Sequence, residues 1–256
     1  MPTSIQNAMR LAALGDAIGA PVEFPYSGET PTKAAALDHA LTAATLNVTD
    51  DTQLALHLLA NAKNGKLNEN DVLHALADYY NDPACHEPQR APGGAVMAGA
   101  HEAATTGRAH DDTLGQFGSG AVMRTPVFAF LGQRDLAART AHYTHAHPLS
   151  VLSVEWVYDL CADPSLPLPP ELAADEWGGF SAAGVCQDVR RALDVTEGLS
   201  QADALKRAVL IGRDADTVGF ILGAILGWNT PWDGTCNDWW DRLEPVYAQA
   251  IDALPA

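Results

Sequence analysis

From one end of the chain to the other, apolar residues recur at intervals of three and four. That period is satisfied by helices burying one stripe each. Ile5–Leu14 places Ile5, Ala8, Met9, Ala12 and Ala13 on one face, and Gln53–Lys63 does the same with Leu54, Leu58 and Leu59. Asn70–Tyr80 follows with Val72, Leu73, Leu76 and Tyr80. Further helices are predicted over Gly93–Thr106, Val122–Phe130, Arg134–Thr144, Leu149–Cys161, Ala182–Thr196, Gln201–Ile211, Thr217–Trp228 and Asn237–Leu254. Strand-like alternation is nearly absent. The breaks are short: Pro21–Pro31, Asn81–Pro92, the proline-rich Asp163–Pro170 and Asn229–Gly234. Because the flanks of the proline stretch are equally helical and apolar, it reads as a surface loop. The expected fold is all-α, a compact orthogonal multi-helix bundle with residues 1–256 forming a single domain.

A chain of 256 residues, 47% hydrophobic and 18% charged, can bury a sizeable core without disulfides or structural zinc. Its apolar runs, such as Thr125–Gly132 and Val218–Trp228, fall well short of the ~18 residues that a membrane span requires. Met1–Arg10 lacks the basic and apolar regions of a signal peptide, so a cytoplasmic protein is expected. Cys85, Cys161, Cys186 and Cys236 lie far apart with no C-x-x-C pair, as expected of buried thiols in a reducing compartment. The formal net charge of −17 opposes binding to nucleic acid or an anionic membrane, because the long-range field repels polyanions. A small anion can still be received by backbone amides and helix N-termini.

Two acidic segments carry the strongest chemical signal. Thr49-Asp-Asp-Thr-Gln53 opens a helix, where carboxylates suit the first turn and Thr49 or Asp50 is a natural N-cap. The same residues are hard oxygen ligands for magnesium, manganese or calcium, provided a second acidic set completes the site. Ile211-Gly-Arg-Asp-Ala-Asp-Thr217 supplies that set ahead of an almost wholly apolar helix. Buried carboxylates are costly unless paired, and a cation is an efficient partner. An EF-hand is excluded because Ile225 stands twelfth from Asp214, where a bidentate glutamate belongs.

Other segments resemble ligand holders. In Leu14–Phe24, Gly15 and Gly19 allow close backbone approach, Pro21 is expected to end the helix, and Glu23 follows in apolar company. Gln116–Arg124 is a glycine-rich turn entering a helix, suited to receiving phosphate on backbone N–H groups. Thr144-His-Ala-His-Pro148 lacks zinc spacing, so His147 is read as part of a polar inter-helix turn while His145 stays open. Trp239 and Trp240 are read as core.

Taken in this order, the segments resemble the ADP-ribosylglycohydrolase family, of the dinitrogenase-reductase-activating-glycohydrolase type. The resemblance rests on G-D-A-x-G-x-P-x-E-F at Gly15–Phe24, T-D-D-T at Thr49–Thr52 and G-x-G-A-x-M-R at Gly118–Arg124. It is completed by T-H at Thr144–His145 and D-x-D-T at Asp214–Thr217, and it spans residues from about 5 to 245. It implies an all-α fold and two Mg2+ or Mn2+ ions held by Thr49, Asp50, Asp51, Asp214, Asp216 and Thr217. It further implies hydrolysis of the bond from ADP-ribose to a protein side chain, arginine foremost. Glu23 and Asp51 are then the catalytic carboxylates. Phe117, Gly118, Ser119, Gly120 and His145 hold adenosine and diphosphate, and Gly93, in the Arg90–Gly94 turn, matches a second phosphate loop. The implied partners are an ADP-ribosylated protein and ADP-ribose.

The chain departs from the family pattern at two places. Arg213 stands where glycine is usual, and Ser119 where asparagine is common. Two other readings share the same residues: a two-metal nucleotide phosphohydrolase, and a catalytically weak ADP-ribose-binding or immunity-type module. Free ADP-ribose as product separates the hydrolase from both.

Overall fold

The computed structural model describes residues 3–23, 32–174 and 178–255; Phe24 and the rest of the 24–31 segment lie outside them. Thirteen α-helices are present among the described residues: α1 (Ile5–Glu23), α2 (Lys33–Thr42), α3 (Asp50–Asn61), α4 (Glu69–Asn81), α5 (Gly94–Thr106), α6 (Thr125–Phe130), α7 (Arg134–Ala141), α8 (Pro148–Ala162), α9 (Ala182–Thr196), α10 (Gln201–Ile211), α11 (Ala215–Asn229), α12 (Asn237–Trp240) and α13 (Pro245–Asp252). Extended pairing among them is confined to isolated bridges. The fold is all-α, as the periodicity predicts.

The chain forms two compact units, residues 1–52 with 187–256, and residues 53–186. In the first, α1 and α11 are the centre. A Cβ on Gly227, Gly223, Gly219 or Ala-facing Gly19 would strike, in turn, the backbone of Asn7 and Ala8, of Leu11, of Gly15, and of Ala215 and Asp216. The α1 partners rise in number as those of α11 fall, so the two helices run antiparallel with their backbones in contact. Glycine at helix spacing permits that approach, at a propensity cost of ~1 kcal/mol each. α11 is buried along nearly its whole length, from Ala215 to Gly227.

The second unit packs Leu54, Leu76, Tyr79, Cys85, Val96, Ala100, Ala103 and Met123 into one core. α4 enters it through a capping box, in which Asn68 accepts from the Asp71 amide and Asp71 accepts from the Asn68 amide.

Three expectations are corrected. Pro21 does not end α1, which runs on to Glu23: a proline in the last turn forfeits one backbone hydrogen bond but leaves the remaining ladder intact. The predicted helix Asn237–Leu254 is two helices, with Pro245 at the start of α13, because proline cannot donate to a preceding turn but is preorganised for a first one. α2 was not expected. It buries only Ala36, Leu37 and Ala40, a stripe too narrow to announce itself, and Thr32 caps it by accepting from the Ala35 amide. Of the tryptophans, Trp239 is buried and Trp240 half-buried, the latter lying 5.1 Å from the Arg10 guanidinium.

Candidate metal centre

In the first unit, the end of α1, the start of α11 and the opening residues of α3 bring a group of carboxylates together. α1 brings Glu23 at its last residue, α3 brings Asp50 and Asp51 at its first two, and α11 brings Asp216 and Thr217 in its first turn with Asp214 just before it. The N-termini of α3 and α11 direct amides that have no intrahelical acceptor, and positive partial charge, toward these groups. Asp50, Asp51, Asp214, Asp216 and Thr217 are all buried, Asp51 at 2% exposure.

Glu23, Asp214 and Asp216 place carboxylate oxygens within 4.8 Å of one another. Glu23 Oε2 accepts from the Ala215 amide at 2.8 Å, tying the end of α1 to the start of α11. Its carboxyl also hydrogen-bonds that of Asp216, which requires the two to share a proton. Burial, with Asp214 adding to it, pushes the Glu23 carboxyl up to about 7. Asp216 is raised well above the carboxylate range by burial and by Glu23. Asp51 is raised likewise by burial, then by Asp216, Asp50, Asp16 and Asp214. One oxygen of Asp51, Oδ2, accepts from the Thr217 hydroxyl at 3.3 Å, whereas Oδ1 is buried with no hydrogen-bond partner among the described residues. A buried carboxylate oxygen without a donor, surrounded by further carboxylates, is a poor arrangement by itself and a good one around a divalent cation. The donor set is wholly hard oxygen, which fits magnesium or manganese.

Asp16 is the residue that the sequence motifs do not single out. Fully buried, it accepts from the amides and hydroxyls of both Thr49 and Thr52, with the Thr49 hydroxyl at 2.7 Å. It thereby clamps the entry into α3 and aims Asp50 and Asp51. Burial raises its carboxyl to about 6, against the lowering effect of those hydrogen bonds. Its place in the G-D-A run, about two helical turns before Glu23, was the available signal. The Thr49 hydroxyl donates to Asp16 and keeps a lone pair for a cation.

Arg213 is occupied: its guanidinium donates to Asp188 at 3.0 and 3.2 Å and to Gln187 at 3.3 Å, and its amide also donates to Asp188. Asp188 is itself buried, so this pair neutralises a charge that would otherwise be stranded. Lys33 of α2 donates to the Gly212 carbonyl. Its ammonium is lowered by burial, with Asp188 and Glu23 acting in the opposite direction.

In the second unit, the glycine-rich turn wraps His145. A Cβ on Gly118 would lie 3.2 Å from His145 Nε2, and one on Gly120 would clash with the same ring and with Val96. Ser119 begins a short 3-10 turn, and the Phe117 carbonyl accepts from the Ala182 amide at 2.9 Å. The Phe117 ring lies 4.7 Å from that of His147, whose Nδ1 accepts from the Leu149 amide at the start of α8, as suits an inter-helix turn. Gly93 is exposed at the N-cap of α5.

Arg124, fully buried, donates to the Gly120 and Thr140 carbonyls and, at 2.9 Å, to the Thr144 hydroxyl oxygen. The Thr144 hydroxyl proton then has one acceptor among the described residues, His145 Nδ1 at 2.8 Å. His145 must therefore carry its own proton on Nε2, facing Gly118 and Gly120. Burial, followed by the Arg124 charge, pushes its imidazole down to about 3, so it is a neutral donor at any physiological pH.

No helix among the described residues is long and apolar enough to cross a membrane. No curated protein matches the chain. A solved structure described as "ADP-ribosylglycohydrolase-related protein complex" is similar to it in fold, with TM-score 0.66 and 23% identity, covering 97% of this chain and 98% of that one. The family model of ADP-ribosylglycohydrolase matches residues 3–158, more than half of the sequence, and the chain belongs to that family.

Proposed function

We propose that the whole chain, residues 1–256, acts as a cytoplasmic hydrolase that cleaves the glycosidic bond between ADP-ribose and a protein side chain, arginine foremost, and releases ADP-ribose. Two divalent ions, Mg2+ or Mn2+, would be held by Thr49, Asp50, Asp51, Asp214, Asp216 and Thr217. The observation that carries this reading is Asp51 Oδ1, which has no hydrogen-bond partner among the described residues and is buried among carboxylates that repel one another without a cation. Bound divalent ions supply Lewis acidity and orientation to ribose hydroxyls and water.

The chain's own groups divide the remaining work. Glu23, steadied by the Ala215 amide, can accept a proton from the attacking water and return one to the leaving group. Asp51, buried and aimed through the Asp16 clamp, is the second catalytic carboxylate. Phe117, Gly118, Ser119, Gly120 and Gly93 are assigned to adenosine and diphosphate. His145 presents a neutral Nε2–H that binds a phosphate or ribose oxygen without a pH-dependent charge.

The test is release of free ADP-ribose from ADP-ribosyl-arginine protein, measured with magnesium, with manganese and with EDTA, for the native chain and Asp214→Ala. Ion-dependent release that the variant lacks is expected. Release of AMP or inorganic phosphate instead would assign a nucleotide phosphohydrolase. ADP-ribose binding by calorimetry without release from any linkage would assign a binding module.

A further inference from the structure

A second group of metal-ligating side chains lies within the second unit, built from different donors. His57 comes from the middle of α3, and Asp82 and Cys85 come from the turn that follows α4. His57 Nε2 lies 3.5 Å from Asp82 Oδ2 and 3.9 Å from Cys85 Sγ, and all three donor atoms fall within 4.8 Å of one another. Both contacts converge on the same ring nitrogen. A catalytic Cys-His-Asp relay is thereby excluded, since it needs the carboxylate on the opposite nitrogen.

Three donor atoms grouped this closely can share one metal ion. Tetrahedral zinc, with bonds of about 2.0–2.1 Å to nitrogen and oxygen and about 2.3 Å to sulfur, sets its ligand atoms roughly 3.4 Å (N to O) and 3.6 Å (N to S) apart. The observed N-to-O and N-to-S separations of 3.5 and 3.9 Å are slightly longer than these, within the reach of side-chain torsions.

The backbone holds the group in place. Asp82 and Cys85 are spaced as D-x-x-C in one 3-10 turn, with the Cys85 amide donating to the Asp82 carbonyl at 3.0 Å. Asp82 Oδ1 accepts from the Ala84 amide at 2.9 Å, which leaves Oδ2 directed at His57. Gln53, one helical turn before His57, donates to the Ala84 carbonyl at 3.3 Å and fastens the turn to α3. Cys85 is buried, whereas Asp82 and His57 reach solvent, giving an ion a way in.

We propose that His57, Asp82 and Cys85 form a zinc site, distinct in chemistry from the all-oxygen cluster, with its fourth position open to water or an external ligand. Thiolate and imidazole select zinc over magnesium or manganese, as borderline-soft donors do. His57 is kept toward its neutral form by burial, against the opposing pull of Asp82, so its nitrogen lone pair is available. Ligation replaces the Cys85 S–H proton, which is released to solvent. Bound zinc would pin the Pro83–His86 turn to α3.

Cobalt provides the probe. The full chain, stripped with chelator, is titrated with Co2+ and then with Zn2+, following absorbance. We expect a near-ultraviolet thiolate-to-cobalt charge-transfer band with tetrahedral visible bands, saturating at one equivalent and erased by Zn2+. Cys85→Ser should lose the near-ultraviolet band, and the double variant Asp51→Asn/Asp216→Asn should keep it. His57→Gln, which leaves the buried cysteine in place, should weaken zinc binding beyond the roughly 100-fold that loss of a merely supporting residue costs. Cobalt bound without a thiolate band, a band surviving Cys85→Ser, or zinc affinity unchanged in His57→Gln would each overturn the assignment.

Discussion

Asp51 and Asp16 show how two carboxylates beside the same threonines, one adjacent in sequence and the other only in space, come to opposite tasks. Asp16 is satisfied by two amides and two hydroxyls, so it positions. Asp51 keeps a buried oxygen with no donor among the described residues, which suits it to the proposed ion. Asp51→Asn should therefore abolish ion-dependent hydrolysis while leaving melting temperature in EDTA unchanged or higher, because a mutually repelling charge is removed. Asp16→Asn should fold and lower ion affinity by roughly 10–100-fold, as loss of a residue supporting a ligand does; calorimetry with Mn2+ measures both. For His145, nitrogen-correlated NMR should find Nδ1 unprotonated and Nε2 protonated, with no change from pH 8 to pH 5. Thr144→Val should release that tautomer and Thr144→Ser should retain it. A retained tautomer in the valine variant would break the Arg124–Thr144–His145 chain of argument.

At the scale of elements, the antiparallel contact of α1 and α11 is what carries Glu23 to Asp214 and Asp216. Gly223 faces the Leu11 carbonyl so closely that a Cβ would lie 2.2 Å from its oxygen. Gly223→Ala must push the helices apart, at a cost of ~1–3 kcal/mol or more for overpacking backbone against backbone. Gly19→Ala has the same steric fault beside Asp216 and should lose ion affinity in addition to stability. Thermal melts with and without Mn2+ separate the two: the first variant should keep a larger share of its ion-induced stabilisation than the second.

For the molecule as a whole, the acidic cluster couples stability to pH. The folded Glu23 carboxyl stands at about 7 and that of Asp16 at about 6, both above their unfolded values, so the folded chain binds more protons between about pH 4.5 and 7. Stability in EDTA should therefore fall as pH rises through that window, the reverse of an ion-paired carboxylate. Divalent ions compete with those protons, so Mg2+ or Mn2+ should raise the melting temperature more at pH 8 than at pH 5.5. Equal stabilisation at both pH values would place the bound ion elsewhere.

The helices and the two acidic motifs were legible in the linear chain because each depends on neighbours within one or two turns. Apolar spacing marks a stripe, and Asp-Asp or Asp-x-Asp beside threonine marks an oxygen-rich helix start. Narrow α2, the continuation of α1 through Pro21 and the break at Pro245 were hidden, since small buried stripes and single proline costs are settled by packing. Asp16 was in plain view and could not be read, because its meaning lies in threonines 33 and 36 residues away. His57, Asp82 and Cys85 were invisible for the same reason. Local sequence determined which segments are helices and which carboxylates begin them; only the tertiary structure decided which side chains lie close enough to share a charge or a proton, because those energies depend on distance in space and burial.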